Sequence, residues 1–295
     1  MIRFNHHITL EYMVGPAGAD FIFNIHAAHT AHQTVSREQL HVNQVTTLQW
    51  HTDATTGTRF MRLRAGPGLL QVQHRASVEL HHHHALPDRL AEVPVAQLPF
   101  DTLPYLNPSR YCQSDQFSQL AMQHFGHLPR GHGRVKAVQD WVRRHVTFTA
   151  NTSNSATSAV DTLASGQGVC RDFAHLMIAL CRALCIPARF TSGTDWGADP
   201  ELGPPDFHAY VEVFLDGGWY IFDPSGTAIP MGFVRIGTGR DAADVPFASI
   251  YGQVVAQPPM ILSQPVADEA LGITLPRHCS DALSTDLLRW PTWPT

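Results

Sequence analysis

The stretch GQGVCRDFAHLMIAL, residues 166–180, places one cysteine between a glycine-containing turn and a segment with helical periodicity. Two adjacent apolar stripes follow, formed by Phe173, Met177, Leu180 and Leu184 and by Ala174, Ile178, Cys181 and Cys185. The remaining polar stripe is formed by Arg171, His175 and Arg182. A helix with so wide an apolar face is typical of the centre of a domain, so this segment predicts a core helix.

Cys170 occupies the first turn of this helix, where free backbone N–H groups and the helix dipole favour an anion. A thiol in that position ionises more readily than a free thiol and becomes a better nucleophile. Gly166 and Gly168 would let the preceding chain turn tightly and leave the sulfur exposed. Cys181 and Cys185 lie on the apolar face, so we expect both to be buried and unreactive. Cys170 could also be a buried hydrophobic residue, unless a base lies beside it.

The segment DFHAYVEVFLDGGWYIFDPSG, residues 206–226, supplies a candidate base. Its alternating pattern predicts two strands joined by a tight turn. If residues 216–217 form the turn, Asp223 lies diagonally across the hairpin from His208, at about 7–8 Å or less. The carboxylate could then orient the imidazole. If the helix that starts at Cys170 packs over that side, the three residues form a Cys–His–Asp triad.

The first part of the chain has a different pattern from the rest. Period-two alternation recurs through the first hundred residues and predicts half-buried antiparallel strands, typical of a β-sandwich. A proline-rich linker follows over residues 87–108, and three helical patterns, the last of them the one that contains Cys170, and then three strand patterns come after it. The fold class is therefore α+β. We place an N-terminal β-sandwich-like domain with its linker at residues 1–105 and a catalytic domain at 106–295, whose tail from Val255 we interpret as loops.

These motifs resemble the transglutaminase-like superfamily, which has a papain-like fold and a Cys–His–Asp triad. The resemblance rests on SGQGVCRDFAHLMIALCRALCIPARF, on DFHAYVEVFLDGGWYIFDPS and on LPYLNPSRYCQSD at the domain junction. It is greatest to bacterial members that carry an N-terminal β domain. The resemblance implies that Cys170 is the nucleophile, His208 the general base and Asp223 its orienting partner. One position departs from the calcium-dependent animal enzymes, because Arg171 replaces the tryptophan after their cysteine.

The implied reaction is attack on an amide of a peptide or protein, with a thioester intermediate. Water would resolve the thioester in a hydrolase, and a second amine would resolve it in a transglutaminase-type transferase. Of these two we prefer the hydrolase. A third alternative is a non-catalytic binding module with a vestigial triad. The backbone N–H of Cys170 is a candidate oxyanion donor.

Other classes of function find less support in the sequence. The formal net charge of −5, with no basic run, gives no reason to expect nucleic acid or an anionic membrane as partner. The five scattered cysteines and the start of the chain, which has no signal-peptide pattern, lead us to expect a cytoplasmic protein. We predict no cofactor and no metal. The histidines at 81–84 are a possible metal site and the GTGRDA stretch at 237–242 is a possible dinucleotide site, but the sequence favours neither. The oligomeric state is not predicted.

Overall fold

The computed structural model describes residues 1–198 and 206–286. The strands in chain order are β1 (Ile2–Val14), β2 (Ala19–Phe23), β3 (Gln33–Val42), β4 (Gln49–Thr52), β5 (Arg59–Ala65), β6 (Gly68–Leu80), β7 (His83–Ala85), β8 (Thr147–Phe148), β9 (Gln167–Gly168), β10 (Ala188–Thr194), β11 (Phe207–Leu215), β12 (Gly218–Phe222), β13 (Val234–Gly239), β14 (Ala248–Tyr251), β15 (Val254–Ala256), β16 (Met260–Val266) and β17 (Ala282–Ser284). The α-helices are α1 (Ser118–Phe125), α2 (His132–His145), α3 (Ala159–Ser165) and α4 (Cys170–Ala183). This mixture of helices and antiparallel sheets confirms the predicted α+β class.

Two antiparallel sheets form the N-terminal part. The first has the order β15-β1-β6-β3, with β16 also paired to β1, and the second has the order β14-β2-β5-β4. Alternate residues of β1 and β6 point inward, because successive side chains in a strand face opposite ways. They pack against phenylalanines of β2, such as Phe21 and Phe23, which are fully buried. Burial of these apolar faces between the sheets holds the sandwich together.

The C-terminal part of the chain returns to these same sheets. β14 pairs with β2, and β15 and β16 pair with β1, so the prediction that the tail from Val255 forms loops is wrong. Proline and weak alternation indicated loops, but β16 is an edge strand, in which Pro265 is tolerated and only one face is partly buried. The boundary between residues 105 and 106 stays a prediction.

The half of the chain that contains the α-helices, the helical half, is built on a four-stranded antiparallel sheet of order β12-β11-β10-β13. α4 packs against this sheet, and its apolar side chains share one core cluster with Ala209, Val211 and Val213 of β11. The other α-helices surround α4. The sheet also contacts the sandwich, because Ile236 of β13 belongs to the apolar cluster of the sandwich. The site described below therefore lies at the start of the most enclosed helix of the domain.

Two residues of the polar stripe of α4, His175 and Arg182, are buried, and Arg171 is half-buried. Nε2 of His175 accepts a hydrogen bond from the backbone N–H of Ala242 at 3.2 Å. Arg182 donates to the backbone carbonyls of Ala188 and Asn107 at 3.0 Å each. These contacts offset the cost of taking the polar groups of His175 and Arg182 out of water.

Cys185 is exposed, so the prediction that it is buried is wrong. α4 ends at Ala183, and Cys185 has a φ of 60°, in the left-handed region that often terminates helices. The helical projection that placed Cys185 on an apolar stripe therefore stops applying before it. Cys181, which lies one turn earlier, is buried as predicted.

Candidate active site

Cys170 is the first residue of α4 and is half-buried. The carboxylate of Asp172 accepts a hydrogen bond from the backbone N–H of Val169 at 2.8 Å and another from the hydroxyl of Ser153 at 2.9 Å. Gly168 is required here, because a Cβ at this position would lie 2.6 Å from Cβ of Asp172. The helix start is therefore fixed on the side of Asp172, and the thiol is presented on the first turn.

His208 of β11 brings its buried imidazole to this helix start. The thiol of Cys170 lies within hydrogen-bonding reach of the ring, and Phe233 packs against the ring with the centroids 4.8 Å apart. Burial by itself would lower the pKa of His208, but the contacts with Asp223 and Cys170 outweigh burial and raise this pKa well above its usual value. The arrangement therefore favours an imidazolium beside the sulfur.

The helix reaches His208 by its end and not by its flank. Ala209 and Val211 carry the apolar contacts of β11 with α4, and His208 alternates with them in the strand. The body of α4 thus covers the other side of β11 from the one that the sequence argument required. Only the first turn, with Cys170, meets the imidazole.

Asp223 lies at the second ring nitrogen, with Oδ1 3.5 Å from Nε2 of His208. The hairpin has the register that a turn at 216–217 predicts, with Leu215 paired to Gly218. Ser225 donates to Oδ1 of Asp223 through its backbone N–H at 3.1 Å and its hydroxyl at 2.6 Å. Burial opposes ionisation of Asp223, but the contacts with His208 and Ser225 prevail and lower its pKa. The structure therefore brings Cys170, His208 and Asp223 together.

The sequence analysis did not identify a second carboxylate at the imidazole. Oδ2 of Asp195 lies 3.3 Å from Nδ1 of His208, and burial raises the pKa of Asp195. Asp195 follows β10, which pairs with β11 so that Thr194 lies opposite Phe207. Recognition of β10 as the neighbour of β11 would have indicated its position. Residues 195–206 form a glycine-, proline- and aspartate-rich stretch before His208, which by sequence could be either a substrate gate or a solvated connection, and this stretch lies in large part outside the described residues.

Arg171 fixes the loop that precedes the helix. Its Nη2 donates to the hydroxyl of Ser153 at 2.7 Å and to the backbone carbonyl of Asn154. Its guanidinium also lies 5.6 Å from the centre of the Tyr111 ring. At the position where the animal enzymes carry a tryptophan, this chain therefore uses a cation to hold a loop against the start of α4.

The two alternative sites have ordinary structural partners. In the histidine run, Nδ1 of His84 lies 2.9 Å from Oδ2 of Asp281, and His83 belongs to β7. In the GTGRDA stretch, Oδ2 of Asp241 accepts a hydrogen bond from the backbone N–H of Tyr111 at 2.9 Å. This stretch ends β13 and is held to the start of the helical half, and nothing in these contacts resembles a nucleotide site.

Comparisons with known proteins agree with this architecture. Residues 121–224 match the family described as transglutaminase-like superfamily, and residues 2–101 match the bacterial transglutaminase N-terminal domain. The crystal structure of a candidate cysteine protease from Cytophaga hutchinsonii superposes with a TM-score of 0.88 at 36% identity, covering 96% of this chain and 97% of that chain.

Curated relatives match over a shorter range. An uncharacterized protein of Mycobacterium leprae is 34% identical over 131 residues, which cover 42% of this chain and 46% of that protein. An uncharacterized protein of Mycobacterium bovis is 32% identical over 111 residues, which cover 34% of this chain and 35% of that protein. The chain thus covers less than half the length of these relatives. Within the described residues, no helix is long and apolar enough to cross a membrane.

Proposed function

The chain belongs to the transglutaminase-like superfamily, and from this premise we propose that it hydrolyses an amide bond of a peptide or protein through Cys170, His208 and Asp223. The observation that carries the proposal is the buried imidazole of His208 between the thiol of Cys170 and the carboxylate of Asp223. A raised pKa of His208 favours the imidazolium–thiolate pair, which is the reactive form of a cysteine nucleophile.

In the first half of the reaction, Sγ of Cys170 attacks the amide carbonyl carbon and the carbonyl oxygen becomes an oxyanion. The backbone N–H of Cys170 has no partner within the helix at this position, so it is available to donate to that oxyanion. The carbon–nitrogen bond then breaks, the imidazolium of His208 gives its proton to the leaving amine, and a thioester remains on Cys170.

In the second half, the neutral imidazole of His208 takes a proton from water, and the resulting hydroxide attacks the thioester. Collapse of the tetrahedral species releases a carboxylic acid, and the thiolate of Cys170 recovers its ion pair with His208. The ionised Asp223 stabilises the imidazolium in both halves, because Ser225 and His208 keep its charge in place.

Transglutaminase-type transfer to an amine is the second candidate function, and the match to the bacterial transglutaminase N-terminal domain favours it. The chemistry up to the thioester is the same, so the acceptor decides between the two reactions. We prefer hydrolysis because the match over nearly the whole chain is to a candidate cysteine protease. The cytoplasmic location and the absence of nucleic-acid and membrane partners stay predictions.

The test incubates the protein with a peptide library and a labelled primary amine, and identifies the products by mass spectrometry. The proposal predicts that the wild-type chain produces new free carboxylates and no incorporated amine, and that Cys170→Ala produces no new free carboxylates. Incorporation of the amine without free acid would favour the transferase. No product from the wild-type chain, with the same result for Cys170→Ala, would favour a binding module with a vestigial triad.

A further inference from the structure

A layer of histidines interrupts the apolar interior of the sandwich. His6 of β1 and His74 of β6 point inward, and the other residues that point inward along these two strands are apolar. His26 follows β2 of the opposite sheet. Each of the three is at most 2% exposed. Separate apolar clusters lie on the two sides of this layer, one around Phe21 and one around Phe4. Apolar residues would fill these positions at lower cost, so packing alone does not explain the histidines.

Most ring nitrogens in this layer have no hydrogen-bond partner among the described residues. The buried ring nitrogens without a partner are both nitrogens of His6, both nitrogens of His26 and Nδ1 of His74. Buried polar atoms without partners are rare in folded proteins and each costs about 1–3 kcal/mol.

A distortion of β3 brings a carboxylate to the same place. The pairing of β3 with β6 shifts register between Ser36 and Gln39, and Arg37 has a φ of 51°. Bulges of this kind redirect a side chain, and positive φ at a non-glycine residue is sustained only where its surroundings compensate for it. The result here is that Oε1 of Glu38 lies 3.0 Å from Nε2 of His74.

We propose that His26, Glu38 and His74 form a binding site for a divalent transition-metal ion of the Zn²⁺ type. One ligand atom from each of the three comes within 4.8 Å of the others. Two ligand atoms of a tetrahedral zinc ion lie about 3.3 Å apart, so adjustments of about an ångström close the site. Two imidazoles, one carboxylate and an open fourth position form a donor set that such ions accept.

Arg59 competes with the metal for Glu38. Its guanidinium donates to both carboxylate oxygens, at 2.7 and 2.9 Å. A carboxylate oxygen has a second lone pair, so Glu38 can bind the ion and keep one contact with Arg59. Removal of Arg59 should therefore tighten metal binding.

The ion would connect the two sheets of the sandwich. Glu38 and His74 belong to the first sheet, and His26 extends from β2 of the second sheet. His26 also contacts the half-exposed Trp50, with the ring centroids 4.9 Å apart. Metal binding should therefore raise the thermal stability of the whole chain, independently of any reaction at Cys170.

The test uses full-length chain freed of metal by a chelator and titrated with Co²⁺, whose visible absorption reports ligand geometry. The proposal predicts that each chain binds one equivalent of Co²⁺ tightly and that Zn²⁺ raises the Tm of the chain. Glu38→Gln should weaken Co²⁺ binding by at least about tenfold. Its side chain is partly exposed, so the variant should fold, and circular dichroism verifies this. His51→Gln, at an exposed histidine of the same domain, is the matched control and should leave binding unchanged.

Two further variants make the result decisive. His26→Gln should abolish the Co²⁺ absorption, and Arg59→Gln should strengthen Co²⁺ binding. The proposal is overturned if the wild-type chain binds no Co²⁺, or if Glu38→Gln and His26→Gln bind it as the wild type does. It is also overturned if Arg59→Gln weakens binding in a folded chain. Peptide hydrolysis is not measured here, so failure of this test leaves the proposed function unaffected.

Discussion

Asp195 and Asp223 contact opposite nitrogens of one imidazole: Oδ2 of Asp195 lies 3.3 Å from Nδ1 of His208, and Oδ1 of Asp223 lies 3.5 Å from Nε2. Because Asp223 contacts Nε2, we expect Nδ1 to be the nitrogen that exchanges a proton with Cys170. The carboxylate of Asp195 and the thiolate of Cys170 therefore compete for the same N–H. The two aspartates should have opposite effects on the reactivity of the thiol.

Asp195→Asn should make Cys170 reactive at lower pH, by about one pH unit. The substitution removes a negative charge that competes with the thiolate for Nδ1 of His208. The measurement is the rate of iodoacetamide alkylation of Cys170 against pH, followed by mass spectrometry of the cysteine-containing peptide.

Asp223→Asn is the matched comparison and should shift the same profile to higher pH. It removes the carboxylate that stabilises the imidazolium, and turnover should fall by at least about a hundredfold. Shifts of both variants in the same direction would contradict the competition between Asp195 and Cys170.

Cys170 should react with iodoacetamide at least about tenfold faster than Cys185 at about pH 6.5. Cys185 is the appropriate control because it is exposed and lies at the end of the same helix, so access to reagent does not limit it. Buried Cys181 should remain unlabelled, because burial raises the pKa of its thiol to about 12. Equal labelling of Cys170 and Cys185 would show that the position at the start of α4 does not activate the thiol.

His175→Gln should make stability less sensitive to acid. Burial lowers the pKa of His175 well below 6.5, so the unfolded chain takes up this proton first as the pH falls. The contribution to the free energy of unfolding is therefore present above about pH 6.5 and declines by about 1.4 kcal/mol per pH unit below it. Glutamine offers an acceptor to the N–H of Ala242 but does not titrate.

Urea unfolding at about pH 6.5 and about pH 5.5, with a chelator present, measures this effect. The loss of stability between the two values should be smaller in His175→Gln than in the wild type, by about 1 kcal/mol. His51→Gln, at an exposed histidine, serves as control and should lose as much as the wild type. An unchanged loss in His175→Gln would mean that His175 is not held neutral in the fold.

Arg182→Met should destabilise the fold by about 3–5 kcal/mol. The guanidinium of Arg182 donates to the buried backbone carbonyl of Ala188 and to the less buried carbonyls of Asn107 and Arg240, and methionine removes all three of these hydrogen bonds. Chemical denaturation gives the free energy of unfolding. Arg144→Met, at an exposed position of α2, should change it by about 0.5 kcal/mol or less. Similar values for the two variants would refute a structural role of Arg182.

The sequence predicted those features that depend on neighbouring residues. The start of α4 and the hairpin register follow from local signals, the glycines before Cys170 and the turn at 216–217, and both are as predicted. The partnership of His208 with Asp223 depends only on that register. A short stretch of chain thus contains most of the information for the candidate site.

The remaining features depend on contacts between distant segments. Asp195 reaches His208 only because β10 pairs with β11, and Glu38 approaches His74 only because a bulge distorts β3. The strands of the C-terminal part were missed for a similar reason: as an edge strand, β16 carries little alternation and contains Pro265. Local periodicity does not indicate which distant strands pair with each other.

The most direct test of the proposed chemistry is capture of the thioester on Cys170. His208→Ala slows the attack of water, so the protein is incubated with an activated ester substrate, quenched in acid and analysed by intact and peptide mass spectrometry. The account predicts an acyl group on the peptide that contains Cys170, released by hydroxylamine and absent from Cys170→Ala. An acyl group on another residue, or amide hydrolysis that persists in Cys170→Ala, would contradict it.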